Sequence, residues 1–89
     1  MRIVFKLYAS LGRYLPPRPD GGDVSTKHEC VIEVPADATP AWVIEHHGVP
    51  EAMAHLVLLN GVFVAPSART TTTLTEDDEL VVFPPVAGG

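Results

Sequence analysis

Cysteine and clustered positive charge are both scarce in this chain of 89 residues. Cys30 is the single cysteine, so no disulfide can form within the chain, and an unpaired thiol fits a reducing cytoplasm. The formal net charge is −5, which disfavours nucleic acid as a partner because binding to phosphates needs clustered Lys and Arg. No apolar run reaches the length of a bilayer span and no signal-peptide core is present, so we expect a cytoplasmic protein with no membrane partner.

What the chain does contain is the composition of a globular domain, with 46% hydrophobic and 19% charged residues. Its length leaves room for one domain with one modest core. We predict a folded domain over residues 1–85 and a flexible reactive tail over residues 86–89. The acidic charge suits a basic protein surface as the partner.

Two strands are predicted in the first part of the chain, because apolar residues alternate there. They cover residues 2–8 and 28–34, and the Pro- and Gly-rich segment 16–22 forms the loop between them. Side chains of a strand point alternately to its two faces. The residues expected to face the core are Ile3, Phe5, Leu7, Cys30, Ile32 and Val34, and those expected on the other face of the first strand are Val4, Lys6 and Tyr8.

A helix is predicted after the second strand. Thr39 is a favourable N-cap, and Pro40 suits the first helical position because its missing N–H has no partner there anyway. The helix should end near His47, with Gly48 as a left-handed terminator, and a further helical turn is possible over residues 50–55. The residues expected on its buried face are Val43, Ile44 and His47, with Trp42 at the edge of this face or exposed.

A hairpin is predicted in the second half of the chain. Asn60-Gly61 is the dipeptide most typical of a two-residue turn, and it joins the apolar segments 57–59 and 62–64. The threonine-rich segment 70–74 is compatible with a short strand or a loop.

The last predicted strand covers residues 79–83. Alternation puts Leu80 and Val82 on one face, whereas Val81 and Phe83 point the other way. A hairpin, a helix that crosses back and further strands together predict an α+β fold: a mixed sheet with one face covered by the helix.

Residues 80–89 carry the most specific pattern, and they read Leu-Val-Val-Phe-Pro-Pro-Val-Ala-Gly-Gly. This segment resembles the C-terminus of the MoaD/ThiS family of ubiquitin-like sulfur carriers, most of all that of the molybdopterin synthase small subunit. The resemblance extends to residues 7–11, 57–61 and 74–80, so it covers most of the chain. It implies a β-grasp (ubiquitin-like) fold with a flexible C-terminal Gly-Gly tail.

The resemblance also implies that the chain is a protein cosubstrate and not an enzyme. A ubiquitin-activating-type adenylyltransferase would use ATP to adenylate the carboxyl group of Gly89, and a sulfur donor protein would convert that group to a thiocarboxylate. The large subunit of molybdopterin synthase would then use the sulfur to make molybdopterin, in molybdenum cofactor biosynthesis. ATP is consumed by the partner, and the resemblance implies no cofactor bound by this chain.

The residues near the C-terminus suit this task. Gly88 and Gly89 carry no Cβ, so their backbone can enter a narrow channel in a partner. Pro84-Pro85 stiffens the exit from the sheet. Aromatic residues opposite the core suit an interface, because a tail that becomes ordered on binding needs a docking surface to offset the entropy lost. The residues predicted to bind partners are Tyr8, Phe63, Val81, Phe83, Pro84, Pro85, Val86 and Ala87.

Two departures from the family pattern concern the pathway. The family turn Asp-Gly-Asp is replaced by Glu76-Asp77-Asp78, and Asp tolerates the left-handed conformation that such a turn needs. The loop over residues 16–27 is longer than usual, and Trp42 and histidines stand where acidic and aliphatic residues are commoner.

Other groups of residues give weaker indications. The histidines lack the spacing of a closed metal site, so we predict none, and the alternation favours a buried structural role for Cys30. The acidic run over residues 76–79 is either a docking site for a basic surface or a solvated turn. The four histidines are His28, His46, His47 and His55.

Three alternatives to the molybdopterin role stay open on sequence. The chain could carry sulfur for thiazole (thiamine) or another metabolite, or be a ubiquitin-like modifier joined to lysine through Gly89. The least specific alternative is a β-grasp interaction module with an inert tail.

Overall fold

The computed structural model describes residues 1–14 and 29–85. The predicted loop over residues 16–27, His28 and the predicted tail of Val86, Ala87, Gly88 and Gly89 therefore lie outside the described residues, and the division into a domain and a tail stays a prediction. The strands in the described ranges are β1 (Arg2–Leu7), β2 (Glu29–Glu33), β3 (Leu56–Leu59), β4 (Val62–Phe63) and β5 (Glu79–Phe83), and the α-helix is α1 (Pro40–His46). Short 3-10 segments cover Ala9–Tyr14, Glu51–Met53 and Pro66–Ala68.

The strands form one mixed sheet in the order β2-β1-β5-β3-β4. β1 is antiparallel to β2 and parallel to β5, and β3 is antiparallel to both β5 and β4. This arrangement confirms the predicted α+β, β-grasp fold. Because β1 and β5 are parallel, they end at the same edge of the sheet, and β3 begins there.

The core lies between the sheet and α1. Ile3, Phe5 and Leu7 are at most 1% exposed, as the alternation in β1 predicts. Cys30 is a partial correction: it lies opposite Phe5 and packs against the core, but it is only half-buried. Ile32, which faces the same way on β2, is 8% exposed, so burial decreases along this strand towards Cys30 and its end at Glu29.

Local sequence signals account for both ends of α1. The Thr39 side chain accepts a hydrogen bond from the Trp42 N–H at 3.1 Å, so it is the predicted N-cap. At the other end Gly48 has φ +74, its N–H donates to Glu45 O, and the Val49 N–H donates to Ile44 O. These two bonds form a Schellman motif, which satisfies carbonyl groups left free at a helix end.

The Asn60-Gly61 hairpin forms as predicted, with φ of +51 and +83 at the two turn residues. Of the two alternatives predicted for residues 70–74, a short strand or a loop, the structure shows the loop, because this segment is a turn followed by irregular backbone. Its buried residue, Leu74, donates its N–H to Ala38 O. The segment is therefore hydrogen-bonded to the residues just before α1 and not to the sheet. No helix in the described ranges 1–14 and 29–85 is long and apolar enough to cross a membrane.

The turn before β5 shows why Asp replaces Gly there. Asp77 has φ +68, the left-handed conformation expected from the sequence. The carboxylate of Asp78 accepts hydrogen bonds from the Thr75 N–H, the Thr75 hydroxyl and Asn60 Nδ2, at 2.8 to 3.0 Å. Partial burial alone would raise the pKa of Asp78, but these hydrogen bonds together outweigh it and hold the pKa below the ordinary 3.8.

Asp78→Ala is therefore expected to destabilise the fold in a pH-dependent way. Near neutral pH the loss should be about 1 kcal/mol, since the hydrogen-bonded carboxylate lies in a partly exposed turn. A lowered pKa in the folded state means that this stability is present above the ordinary pKa of Asp and is lost as pH falls through the folded pKa. Urea unfolding of the wild type and of Asp78→Ala between pH 6 and pH 2 should show that the difference between their free energies of unfolding, the gap, decreases towards zero. Asp37→Ala, in another exposed turn, is the control, and a gap that stays constant to pH 2 would contradict the prediction.

Candidate functional site

The face of the sheet opposite α1 presents the side chains that are out of phase with the core. One row of this face crosses all five strands of the described sheet. The register places in that row Glu29, Lys6, Val81, Leu58 and Phe63. The residues at the tail end of the same face are Tyr8, Phe83 and Leu56.

Two aromatic rings stack at the point where β5 ends. The ring centroids of Tyr8 and Phe83 are 4.6 Å apart, and the ring planes differ by 8°. Phe83 is half-buried and lies outside the core cluster. Pro84 is half-buried and Pro85 exposed, so the chain leaves the sheet directly beside this stack.

Phe63 lies at the far side of the face, on β4. Its side chain is 56% exposed, the largest exposed aromatic surface in the described part of the chain. Leu58 pairs with Phe63, and Leu56 pairs with Phe83. We call Tyr8, Leu56, Leu58, Phe63 and Phe83 the apolar patch.

Sequence reasoning missed two members of the apolar patch, Leu56 and Leu58. The segment Leu56–Leu59 is continuously apolar, so its composition does not show which residues face the core. Pairing of Leu58 with Val81 and of Leu56 with Phe83 fixes the phase. The Asn60-Gly61 turn could have given the same answer, because it sets the register between β3 and β4.

Val81 corrects another part of the prediction. It lies on the predicted face and outside the core cluster, yet it is only 6% exposed. β5 is the central strand, and Val81 is flanked by Lys6 on β1 and Leu58 on β3. These longer side chains cover it, so Val81 supports the apolar patch and does not offer contact surface itself.

Charged residues occupy the other half of the face. Lys6 Nζ lies 3.2 Å from Glu79 and 3.8 Å from Glu29. The hydrogen bond to Glu79 raises the pKa of Lys6, with the charges of both glutamates adding to the effect. A partner on this face would therefore meet an apolar surface at β3 and β4, and at β1 and β2 a more acidic one that also contains Val31, which is 60% exposed.

The acidic turn is engaged mainly within the fold. Glu76 accepts a hydrogen bond from the Arg2 N–H at 2.7 Å, and Asp78 and Glu79 are bonded as described above. These bonds within the fold explain the acidic residues over 76–79 without invoking a partner protein. They therefore favour the interpretation of this segment as a solvated turn.

The histidines take part in ring contacts around α1. His46 stacks on Trp42 with centroids 4.5 Å apart, and His47 packs against Phe5 at 4.9 Å. His47 Nδ1 lies 2.9 Å from Val43 O, on the helix side away from the apolar patch. In the ranges 1–14 and 29–85, no three His, Cys, Asp or Glu side chains group closely enough to hold a metal ion.

The partner-binding role of Tyr8, Phe63 and Phe83 stays a prediction, but the structure does bring them onto one face with Pro84 at its edge. The arrangement therefore offers the apolar patch as a docking surface beside Pro84, on the side from which the chain continues towards Gly88 and Gly89.

The chain matches the model of one protein family and shares its fold with several solved structures. The model of the ThiS family matches residues 23–89. No curated protein sequence matches the chain.

Several solved structures share the fold. Small archaeal modifier protein 1 (SAMP1) of Haloferax volcanii aligns over 100% of both chains at 23% identity, with a TM-score of 0.64. A second Haloferax volcanii protein, with a solution structure, aligns over 100% of this chain and 87% of its own at 24% identity, with a TM-score of 0.71. A chain from the complex of subunits 1 and 2 of the molybdopterin-converting factor of Helicobacter pylori aligns over 100% of both chains at 18% identity, with a TM-score of 0.56.

Proposed function

Because this chain belongs to the ThiS family, we propose that it is a sulfur carrier whose Gly89 carboxyl group is activated and converted to a thiocarboxylate. The observation that supports this most is the position of the apolar patch. The Tyr8–Phe83 stack lies directly before Pro84, so a protein that binds the patch also holds the root of the Gly-Gly segment. The family match runs through residue 89, which includes that segment.

The proposed activation has two steps. The Gly89 carboxylate attacks the α-phosphate of ATP in a ubiquitin-activating-type adenylyltransferase, which forms an acyl-adenylate and releases pyrophosphate. A persulfide of a donor protein then attacks the acyl carbon and AMP leaves. A second donor thiol attacks the inner sulfur of that persulfide, so that its S–S bond breaks, a disulfide forms on the donor and the thiocarboxylate is released. This chain contributes binding and positioning, and its partners contribute the catalytic groups, so it is a cosubstrate and not itself an enzyme.

The sheet face is apolar at β3 and β4 and acidic around Glu29 and Glu79, and this combination suits such a partner. Phe63 is 56% exposed, so burying the rest of it would contribute about 1–2 kcal/mol, which makes it an anchor away from the tail. The acidic half around Glu29 and Glu79 suits a basic rim, which speeds encounter and fixes orientation more than it adds affinity.

We propose that the sulfur is used to make molybdopterin, and that the large subunit of molybdopterin synthase transfers it from Gly89 to the pterin precursor. The support is the sequence resemblance of residues 80–89 to the small subunit, together with the shared fold of the Helicobacter pylori chain, which is solved in complex with a second subunit. A carrier for thiazole or another sulfurated metabolite would use the same chemistry at Gly89.

A protein-modifier function is the second candidate, and the shared fold with SAMP1 favours it. Activation would be the same, but a lysine amine would attack the acyl group and form an isopeptide bond. The two candidates therefore differ in the fate of Gly89 and not in its activation.

Trapping with hydroxylamine tests the step common to both. The chain is incubated with ATP and its cognate adenylyltransferase, and hydroxylamine converts any acyl-adenylate to a hydroxamate on Gly89. We expect the hydroxamate only when ATP is present. An unmodified Gly89 under conditions where the enzyme activates another carrier would contradict the proposal.

A further inference from the structure

Arg69 is a buried arginine on the helix side of the sheet. It is 8% exposed and lies in the turn after the 3-10 segment Pro66–Ala68. Its Nη1 donates to Ala54 O at 2.7 Å, and its Nη2 donates to His55 O at 3.2 Å. Its backbone is fixed by α1, because its carbonyl accepts a hydrogen bond from the Ala41 N–H at 2.9 Å.

The peptide bond between Ala54 and His55 connects Arg69 to the root of the tail. The oxygen of this peptide bond accepts the Arg69 bond, and its N–H donates to Phe83 O at 3.0 Å. A peptide bond is planar and rigid, so fixing its oxygen also fixes the direction of its N–H. A cation on the oxygen polarises the amide and strengthens the bond that its N–H makes.

Phe83 is the last residue of β5, and Pro84 follows it. The carbonyl that accepts from His55 therefore belongs to the last residue of the sheet before the tail. One continuous line of hydrogen bonds runs from α1 through Arg69 and one peptide bond to this point.

Stability alone does not explain this choice of residue. Within the described ranges Arg69 has no ion pair with a carboxylate, and its buried Nε has no hydrogen-bond acceptor. Arg69 also borders an open pocket of about 560 Å³, together with residues of α1 and of segment 48–54. Glu45 and Glu51 line the same pocket as Arg69 but form no ion pair with it. A buried charge without a direct ion pair and an unpaired buried donor both cost stability.

We propose that Arg69 is a positioning residue, which sets the direction in which the tail leaves the sheet for activation of Gly89. The inference rests on the proposed function. Loosening of the Ala54–His55 peptide would let the Phe83 carbonyl and Pro84 adopt more orientations. Fewer encounters with the adenylyltransferase would then place Gly89 in its site, whereas the chemical step, once Gly89 is bound, would be unchanged.

The test compares three variants with the wild type. Arg69→Met fits the space next to the pocket and removes all donors, and Arg69→Lys keeps the charge and one donor group. Val34→Ala, 5% exposed and at the opposite end of the sheet, is the control for lost stability. Unfolding midpoints are measured first, so that kinetics are compared where every chain is folded.

Two readouts separate positioning from stability. Amide hydrogen exchange should accelerate at His55 by about tenfold in Arg69→Met relative to Val34→Ala, because the bond to Phe83 O is weakened locally. In adenylation assays, Arg69→Met should raise KM by about tenfold with kcat within about twofold, and Arg69→Lys should recover part of the loss.

Each outcome bears on a different claim. A His55 exchange rate and a KM for Arg69→Met equal to those of Val34→Ala, with the wild type adenylated, would overturn the role of Arg69 and leave the proposed function standing. A wild-type chain that is not adenylated would overturn the proposed function, and this inference with it.

Discussion

A chain extended by one alanine after Gly89 is expected to lose at least a hundredfold in the rate of adenylation, and so is a chain that lacks Gly89. The reacting carboxylate must lie at one depth in the adenylyltransferase site, and a displacement of even about 1 Å from the reacting geometry can cost a hundredfold in rate. One residue adds about 3.3–3.6 Å of reach, several times that tolerance. Initial rates of ATP-dependent pyrophosphate release with the cognate adenylyltransferase measure the effect.

Val86→Ala is the matched control for this experiment, because it changes the tail without changing its length. Val86 is itself a predicted partner contact, so this variant should lose some activity, but far less than the hundredfold expected when the length of the tail changes. The unfolding midpoint should be the same for all these chains, since β5 ends at Phe83 and the core cluster contains no residue beyond Val82. Adenylation of the extended chain at the wild-type rate would show that Gly89 is not the reacting residue.

Phe83→Ala is expected to weaken binding to the adenylyltransferase by 2 kcal/mol or more, which is about thirtyfold or more in Kd. Phe83 stacks on Tyr8, pairs with Leu56 on β3 and lies next to the start of the tail. Its loss therefore removes an anchor at the centre of the proposed interface. The cost in stability should be smaller, roughly 1–2 kcal/mol, because Phe83 is only half-buried and its loss opens no cavity in the core.

Two control variants make this prediction sharp. Phe5→Ala removes a fully buried ring and should cost roughly 3–5 kcal/mol of stability. Val62→Ala changes an exposed residue outside the apolar patch and should affect neither quantity. Calorimetric titration and urea unfolding give affinity and stability separately. A Phe83→Ala chain that binds normally but unfolds as easily as Phe5→Ala would show that Phe83 belongs to the core.

Local patterns in the sequence predicted the elements of the fold well. Thr39, Pro40 and Gly48 gave the bounds of α1 to within one residue, and Asn60-Gly61 gave the hairpin. The left-handed conformation at Asp77 also followed from the sequence, because few residues other than Gly, Asn and Asp adopt it readily. These features depend on backbone conformations that neighbouring residues largely determine.

The sequence-based predictions were less accurate for the burial of individual side chains, which depends on how the rest of the folded sheet covers them. Val81 and Cys30 follow the alternation, but Val81 is covered because β5 is central, and Cys30 is only half-buried because it lies near the end of β2. Strand order depends on contacts between distant parts of the chain, so alternation within one strand cannot give burial.

Arg69 and the segment 70–74 show the same limit. The threonines fit a strand by propensity, but Leu74 is bonded to Ala38, which lies far away in sequence. Arg69 looks like an ordinary surface arginine in the sequence, and only the folded chain brings it to the carbonyl groups of Ala54 and His55. No local pattern predicts such a contact.

The mass of the intact chain after reaction tests the central claim most directly. The chain is incubated with ATP, the cognate adenylyltransferase and a sulfur donor, and its mass is compared with that of a sample without ATP. We predict a mass increase equal to the replacement of one oxygen atom by sulfur, located at Gly89 by fragmentation. A chain that is adenylated but gains no sulfur, and is found instead in isopeptide conjugates with other proteins, would contradict the sulfur-carrier function and establish the modifier in its place.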